Sequence, residues 1–181
     1  VWAAEPSNPA IRVEVRRLYE LIGAHAELAR LLIEEAQAIE DVEEKVAHLR
    51  WAGEALLSTG ELDPAIGALR QVLELVVDDA EALCLLADAH IMQGDYAGGH
   101  QLLDDAIGRA RRTSPTLFML YQRKSYVHQA EGDPYAQLDA LKRAYQAARK
   151  NPHVAAELAD LAESLEDWDL AVTTLRAITA M

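Results

Sequence analysis

The stretch MQGDYAGGHQLLDDAI, Met92 to Ile107, carries three glycines beside acidic residues and a histidine. A phosphate-binding loop would end in Gly-Lys-Ser/Thr, because the lysine reaches the phosphates and the hydroxyl holds magnesium. Here His100 and Gln101 follow the glycines. A dinucleotide fingerprint needs a preceding strand, whereas the apolar residues of EALCLLADAHIMQ recur every three to four positions, as on a helix. The stretch therefore predicts a turn between two helices rather than a nucleotide site.

Similar turns recur along the chain. Taking Gly94 as the anchor, matching segments are found at Gly23, Gly60 and Gly132, and at Glu166, where glutamate takes the place of glycine. The anchors are 34 to 38 residues apart, and a leucine follows each of them by nine residues: Leu32, Leu69, Leu103, Leu141 and Leu175. Twelve residues after the anchors stand Glu35, Val72, Ala106, Ala144 and Ile178. An internal repeat of this period predicts stacked helical hairpins.

The pattern resembles the tetratricopeptide repeat (TPR) family, whose unit is a helix–turn–helix of about 34 residues. The family's small residue, seven positions before the turn, appears as Gly53, Ala87, Ser125 and Ala159, and its second-helix alanine as Ala65 and Ala171, with Gly99 smaller still. The sequence departs from the family pattern at Arg16, in the small-residue position of the first unit, and at Gln137, in place of the alanine of the fourth.

The resemblance implies an all-α, right-handed superhelix of about five antiparallel hairpins. We expect residues 1–181 to form a single α-solenoid, with units near 10–42, 43–77, 79–112, 115–150 and 152–181. The chain begins at Val1 and shows no targeting signal, so we expect it to be a fragment of a longer protein. The compartment is unknown, although the missing signal and the single cysteine slightly favour the cytoplasm.

The residues expected at helix ends support the same architecture. Prolines that follow a capping residue mark helix starts, because the side chain binds the first N–H groups and proline suits the first helical position. Gly94 is predicted to free the turn, Asp95 to cap the next helix, and Gly98 and Gly99 to let that helix lie close to its partner. The proline pairs are Asn8-Pro9, Asp63-Pro64, Ser114-Pro115, Asp133-Pro134 and Asn151-Pro152. Helices are predicted near residues 11–22, 26–40, 43–58, 62–76, 79–92, 96–111, 115–130, 134–149, 152–165 and 168–180.

Composition argues against several classes of function. The net charge of −13 comes without a cluster of Lys and Arg, so nucleic-acid binding is not expected. No apolar run approaches the ~20 residues of a membrane-spanning helix. Cys84 is the only cysteine, which excludes an internal disulfide.

In TPR proteins the first helix of each hairpin lines a concave groove that binds a partner peptide or helix. The resemblance implies a groove lined by Arg50, Glu54, Glu81, Cys84, Asp88, Met119, Gln122, Tyr126, His153, Asp160 and Glu163. Each of these could equally be a solvated surface residue. Because acids outnumber the basic residues, we expect a neutral or basic partner segment. The carboxylate clamp of chaperone-binding members is not expected, since Glu54, Leu85 and Met119 stand where amide or cationic groups are needed.

No metal site is predicted. His90 and His128 occupy equivalent places in successive units, but equivalent residues on stacked helices lie about 10 Å apart. A zinc site needs three or four converging ligands, so we expect both histidines to replace an aromatic packing residue of the family. The remaining candidates, His25, His48 and His100, show no ligand spacing. No cofactor is expected.

These observations predict a non-catalytic protein–protein interaction scaffold. The alternative is a regulatory or sensor segment of a larger multidomain protein, such as a transcription regulator, a kinase or a secretion component. A helical enzyme is the third interpretation, although Ser125, Ser164 and Cys84 show no link to a base. The sequence stops within the second helix of a unit, which predicts an uncovered face at Leu175, Ile178 and Met181 and possible self-association through it.

Overall fold

The computed structural model describes residues 9–111 and 115–180. In these residues the chain forms ten α-helices and no strand, which confirms the all-α prediction. The bounds agree with the predicted ones to within two residues. The helices are α1 (Pro9–Leu21), α2 (His25–Ala38), α3 (Val42–Thr59), α4 (Leu62–Leu75), α5 (Ala80–Gln93), α6 (Tyr96–Arg109), α7 (Leu117–Glu131), α8 (Pro134–Ala147), α9 (Pro152–Ser164) and α10 (Trp168–Thr179).

The chain divides into two compact units, Val1–Ala82 and Leu83–Met181. In the first unit, α1 packs on α2, α2 on α3 and α3 on α4. In the second unit, α6 packs on α7, α7 on α8, α8 on α9 and α9 on α10. Within each unit, these pairs of helices that follow one another in sequence are neighbours in space, as a hairpin repeat requires.

The five predicted turns share one backbone conformation. Gly23, Gly60, Gly94 and Gly132 all have φ between 70° and 84°, in the left-handed region that glycine enters without a Cβ penalty. The N–H of the next residue then binds the carbonyl five positions back, as Asp95 does with His90 at 2.9 Å. This is the hydrogen bond of a Schellman C-cap, so each anchor ends one helix and redirects the chain into the next.

Glu166 takes the same conformation without being glycine, with a φ of 59°. A left-handed conformation brings Cβ too close to the following carbonyl and costs about 1 kcal/mol or more. We expect Glu166→Gly to raise the free energy of unfolding by about 1 kcal/mol, measured by urea unfolding followed by circular dichroism. Glu163→Gly, inside the last turn of α9, should instead lower it by roughly 0.5 kcal/mol. Equal effects of the two substitutions would contradict this account.

Side-chain caps start several helices where the sequence predicted them. Asp95 accepts a hydrogen bond from the Gly98 N–H at 3.0 Å, Asp133 one from Ala136 at 2.9 Å, and Asn151 one from His153 at 3.0 Å. The hydrogen bond from the Gly98 N–H, and after it the hydrogen bond with the His90 ring, lowers the pKa of the Asp95 carboxyl.

Two of the proline pairs do not mark the first residue of their helix, whereas the helix predicted near 62–76 does begin at Leu62. Helix α4 begins at Leu62, so Asp63 lies inside its first turn and Pro64 stands third, where its missing N–H would have had no partner within the helix. Helix α7 begins at Leu117, two residues after Pro115. The proposed caps Asn8 and Ser114 lie outside the described residues.

The repeat positions account for much of the core. Leu32, Leu69 and Leu103 are completely buried and Leu141 is 2% exposed. The small residue of the first helix makes room for this leucine: a Cβ on Gly53 would lie 2.7 Å from the side chain of Leu69. Gly98 is packed as closely, since a Cβ there would lie 2.8 Å from the His90 ring. A Cβ on Gly99 would lie 3.5 Å from its nearest neighbours, which is an ordinary contact distance.

In the first unit, two unusual residues compensate each other. Arg16 occupies the small-residue position of the first hairpin, and Glu35 occupies the position that valine, alanine or isoleucine fills in the other hairpins. Nη1 of Arg16 lies 2.7 Å from Oε2 of the buried Glu35 and 2.7 Å from Nε2 of His48. Nη1 of Arg12 lies 3.7 Å from the other Glu35 oxygen. An ion cluster therefore replaces the apolar contact of the other hairpins.

Candidate partner-binding site

The predicted groove residues of the first unit are partly engaged with one another. Arg50 on α3 pairs with Glu81 at the start of α5, and its Nη1 lies 3.9 Å from Asp79. Glu54 is exposed. The positive charge of Arg50 is therefore already balanced inside this unit.

In the second unit, the predicted groove residues belong to a polar network across three helices. Arg123 on α7 donates two hydrogen bonds to Asp88 on α5, at 2.6 and 2.7 Å. The Arg123 guanidinium lies 5.1 Å from the centre of the Tyr126 ring, a cation–π contact. The hydroxyl of Tyr126 donates to Glu157 on α9 at 2.9 Å, and the Gln122 amide donates to both Glu157 oxygens at 2.8 and 2.9 Å.

The network shifts two ionisation equilibria. Burial, followed by the hydrogen bond to Glu157, raises the pKa of Tyr126 to about 12. The phenol therefore stays a proton donor throughout the neutral range. Burial also raises the pKa of Asp88 even though Arg123 acts to lower it.

The other predicted groove residues differ in their accessibility. Cys84 is only 4% exposed, and its thiol lies 3.7 Å from the Met119 carbonyl oxygen. It therefore presents almost no surface to a partner, because the small apolar thiol packs in the core between α5 and α7. Met119 is half-buried, whereas His153, Asp160 and Glu163 are exposed.

A pocket lies beside the network, between α7, α8 and α9. Its volume is about 360 Å³, and it is lined by Tyr126, Gln129, Gln137, Leu141, Glu157, Asp160 and Leu161. Glu157 and Gln137 were not among the predicted site residues. Signals for both were present: Glu157 is one helical turn from His153, and Gln137 breaks the family pattern by replacing a packing alanine. Gln137 is too large and too polar for the core position that alanine fills in the family, and it lines the pocket instead.

The arginines that a carboxylate clamp would use are both paired. Arg50 is bound to Glu81 and Arg123 to Asp88. A partner's carboxylate would have to displace an acid already in place, and the absence of a carboxylate clamp stays a prediction.

A second cluster of polar residues joins α6 to α7. The rings of His100 and His128 lie 4.2 Å apart between centroids, and Nε2 of His100 is 3.1 Å from a Glu131 oxygen. His100 shows no ligand spacing in the sequence, because 31 residues separate it from Glu131 and only the packing of α6 on α7 brings them together. His90, paired with His128 in the sequence analysis, instead binds Asp95 at 2.9 Å.

The hydroxyls considered as nucleophiles donate to carbonyls of their own helices. Ser125 donates to Gln122 and Ser164 to Leu161, each at 2.7 Å.

On α10, Val172 and Leu175 are exposed, Leu175 to 47%, while Ile178 is half-buried and Met181 lies outside the described residues. Self-association through this helix stays a prediction.

Comparison with known proteins identifies the fold. No protein-family model matches the sequence, and no curated protein matches it. The chain is similar in structure to a thermophilic TPR protein of Thermus thermophilus, with a TM-score of 0.63 and 17% identity over 94% of this chain and 90% of that one. MamA (41-end) of Desulfovibrio magneticus RS-1 matches with a TM-score of 0.60 and 16% identity over 94% and 93%.

A third similar structure is the APC/C hetero-tetramer Cut9–Hcn1, with a TM-score of 0.65 and 15% identity over 98% of this chain and 34% of the other. The chain therefore has a TPR-like fold, as the sequence predicted. Its structural neighbours are TPR scaffolds, which generally mediate protein–protein interaction and are generally not catalysts. In the described residues, no helix is both long and apolar enough to cross a membrane.

Proposed function

We propose that this chain is a non-catalytic interaction module that binds a peptide or a helix of a partner protein over α7 and α9 of its second unit. The observation that carries the proposal is the pocket of about 360 Å³ between α7, α8 and α9, with its two carboxylates. The pocket residues Tyr126 and Asp160 belong to the first helices of successive hairpins, the helices that bind partners in TPR proteins.

The pocket combines the two features that peptide recognition needs. Leu161 offers an apolar surface for a partner side chain beside the buried Leu141, and Gln129, Gln137 and Asp160 supply polar groups around it. The network of Asp88, Arg123, Tyr126 and Glu157 holds α7 against α5 and α9 before any partner arrives. A preformed surface of this kind loses less conformational entropy on binding.

The charge of the pocket favours a neutral or basic segment. Glu157 and Asp160 are its ionisable acids, and the whole chain carries a net charge of −13. A lysine or arginine of the partner beside Asp160 would gain a charge-assisted hydrogen bond, and the negative field would speed the encounter. An acidic segment would meet like charges on the pocket wall and in the surrounding field.

Two charge-matched variants test the proposal. Glu157→Gln with Asp160→Asn removes two carboxylates from the pocket, and Glu20→Gln with Glu74→Gln removes two exposed carboxylates of the first unit. Each variant and the wild type would be used to capture partners from the native cell extract. The captured protein would be identified by mass spectrometry, and its binding segment would then be titrated as a labelled peptide by fluorescence anisotropy.

We expect the pocket variant to raise the Kd of that peptide at least about tenfold, since the loss of a desolvated charge partner costs about 2 kcal/mol or more. The control variant should leave the Kd within about twofold, the size expected of distant exposed charges. Equal weakening by both variants would show a general charge effect, and unchanged binding by the pocket variant would place the interface elsewhere. Either result, or the absence of any captured protein, would overturn the proposal.

A further inference from the structure

The cluster of His100, His128 and Glu131 has the composition of a metal site. One potential ligand atom from each of the three residues lies within 4.8 Å of the other two. His128 and Glu131 are three positions apart on α7, so they share a face of that helix, and His100 approaches them from α6. All three belong to the second unit of the chain.

We propose that His100, His128 and Glu131 bind a divalent transition-metal ion of the zinc class, which links α6 to α7. Two imidazoles and one carboxylate form a donor set that suits Zn²⁺, Ni²⁺ and Cu²⁺ rather than Mg²⁺ or Ca²⁺, which prefer sets of oxygen ligands. The site is independent of the peptide-binding pocket and does not rest on the proposed function.

The distances fit an ion without a large rearrangement. Ligands about 2.0–2.2 Å from a tetrahedral Zn²⁺ lie roughly 3.3–3.6 Å from one another. The Glu131 oxygen Oε2 is 3.1 Å from Nε2 of His100 and 3.8 Å from Nδ1 of His128. The two Glu131 distances are within a few tenths of an ångström of that spacing, and the two histidine nitrogens, which lie within 4.8 Å of each other, would approach by up to about 1.5 Å.

The nitrogen of His128 that would bind the ion lacks a hydrogen-bond partner. Within the described residues, Nδ1 of His128 is a buried atom for which no donor or acceptor is in reach, although buried polar groups are usually paired. Lys124 is the cation that opposes an ion here, and its charge is balanced by a salt bridge to Asp104.

Access to the site and its open position follow from the exposure of its residues. The Glu131 side chain is 46% exposed and both histidines are about one-fifth exposed, so an ion can enter from solvent. Three protein ligands leave a fourth tetrahedral position for water or for a side chain of another molecule. The ion would hold the second helix of one hairpin to the first helix of the next.

The test is metal titration of the whole chain, produced without a polyhistidine tag and freed of metal with a chelator. Isothermal titration calorimetry with zinc chloride is expected to show one ion per chain, and the same titration with magnesium chloride should show no binding. Zinc should also raise the Tm of the wild-type chain, because the ion binds only the folded arrangement.

Variants locate the site. We expect zinc binding to weaken at least about tenfold in each of His100→Ala, His128→Ala and Glu131→Gln. Losing a residue that only supports a ligand already costs about tenfold or more in metal affinity, so losing a ligand should cost at least as much. His153→Ala, which removes an exposed histidine of α9, should leave the affinity unchanged. Glu131→Gln alters a side chain at the exposed end of α7, so it keeps the test valid if a histidine variant fails to fold. A wild type that does not bind zinc, or binding that survives in Glu131→Gln and in a folded histidine variant, would overturn the proposal.

Discussion

Replacing Leu141 by alanine is expected to lower the free energy of unfolding by about 2–5 kcal/mol, the range for removing a large aliphatic side chain from a packed core. Leu141 on α8 is 2% exposed and belongs to a core cluster with Leu138, Leu158 and Ala162. Alanine would leave a cavity there that the surrounding helices can close only in part. Urea unfolding followed by circular dichroism, with the midpoint and slope fitted together, measures the loss.

The matched control is Leu175→Ala, at the same repeat position in the last hairpin. Leu175 is 47% exposed, so its removal deletes less buried surface and leaves no enclosed cavity. We expect it to cost less than about 1 kcal/mol, close to the value for surface positions. If the two variants lost equal stability, burial would not explain the regular spacing of these leucines along the chain.

Replacing Glu35 by alanine is expected to lower the free energy of unfolding by about 3 kcal/mol, because it breaks a buried ion pair from one side only. Arg16 would then lie beside His48 without the carboxylate that holds it. The cost arises from the unpaired, half-buried charge of Arg16 more than from the lost attraction. The same urea experiment measures it.

A double variant distinguishes this explanation from simple loss of packing. Arg16→Ala with Glu35→Val restores the small and apolar residues that other hairpins carry at these positions. Replacing a buried ion pair by apolar residues is often neutral, so we expect the double variant to recover most of the stability lost in Glu35→Ala. A double variant as unstable as the sum of the two single changes would show that the charges are not coupled.

The fold could be predicted because its determinants are local and repeated. Each turn needs one residue with positive φ, and four of the five anchors are glycine. In the second hairpin the small residue Gly53 stands opposite Leu69, and every later hairpin carries a small residue at the same position. These requirements recur at a spacing that can be read directly from the chain. The proline pairs marked two helix starts less precisely, because Pro64 stands third in α4, where no N–H is needed, and Pro115 lies two residues before the first residue of α7.

The candidate sites could be predicted only in part. The family pattern named Asp88, Gln122, Tyr126 and, as a clamp position, Arg123, but Glu157 and the pairing of Arg123 with Asp88 are visible only in the contacts between α5, α7 and α9. The same pattern named Cys84, which the structure buries.

By itself, the sequence determined the helices, their turns and the leucine core, since backbone conformation and hydrophobic periodicity depend on neighbours along the chain. Only the tertiary structure decided which charges are balanced, which side chains remain accessible, and that His100 meets His128. Those properties depend on distances between residues of different helices, and such distances are set by packing rather than by spacing in sequence.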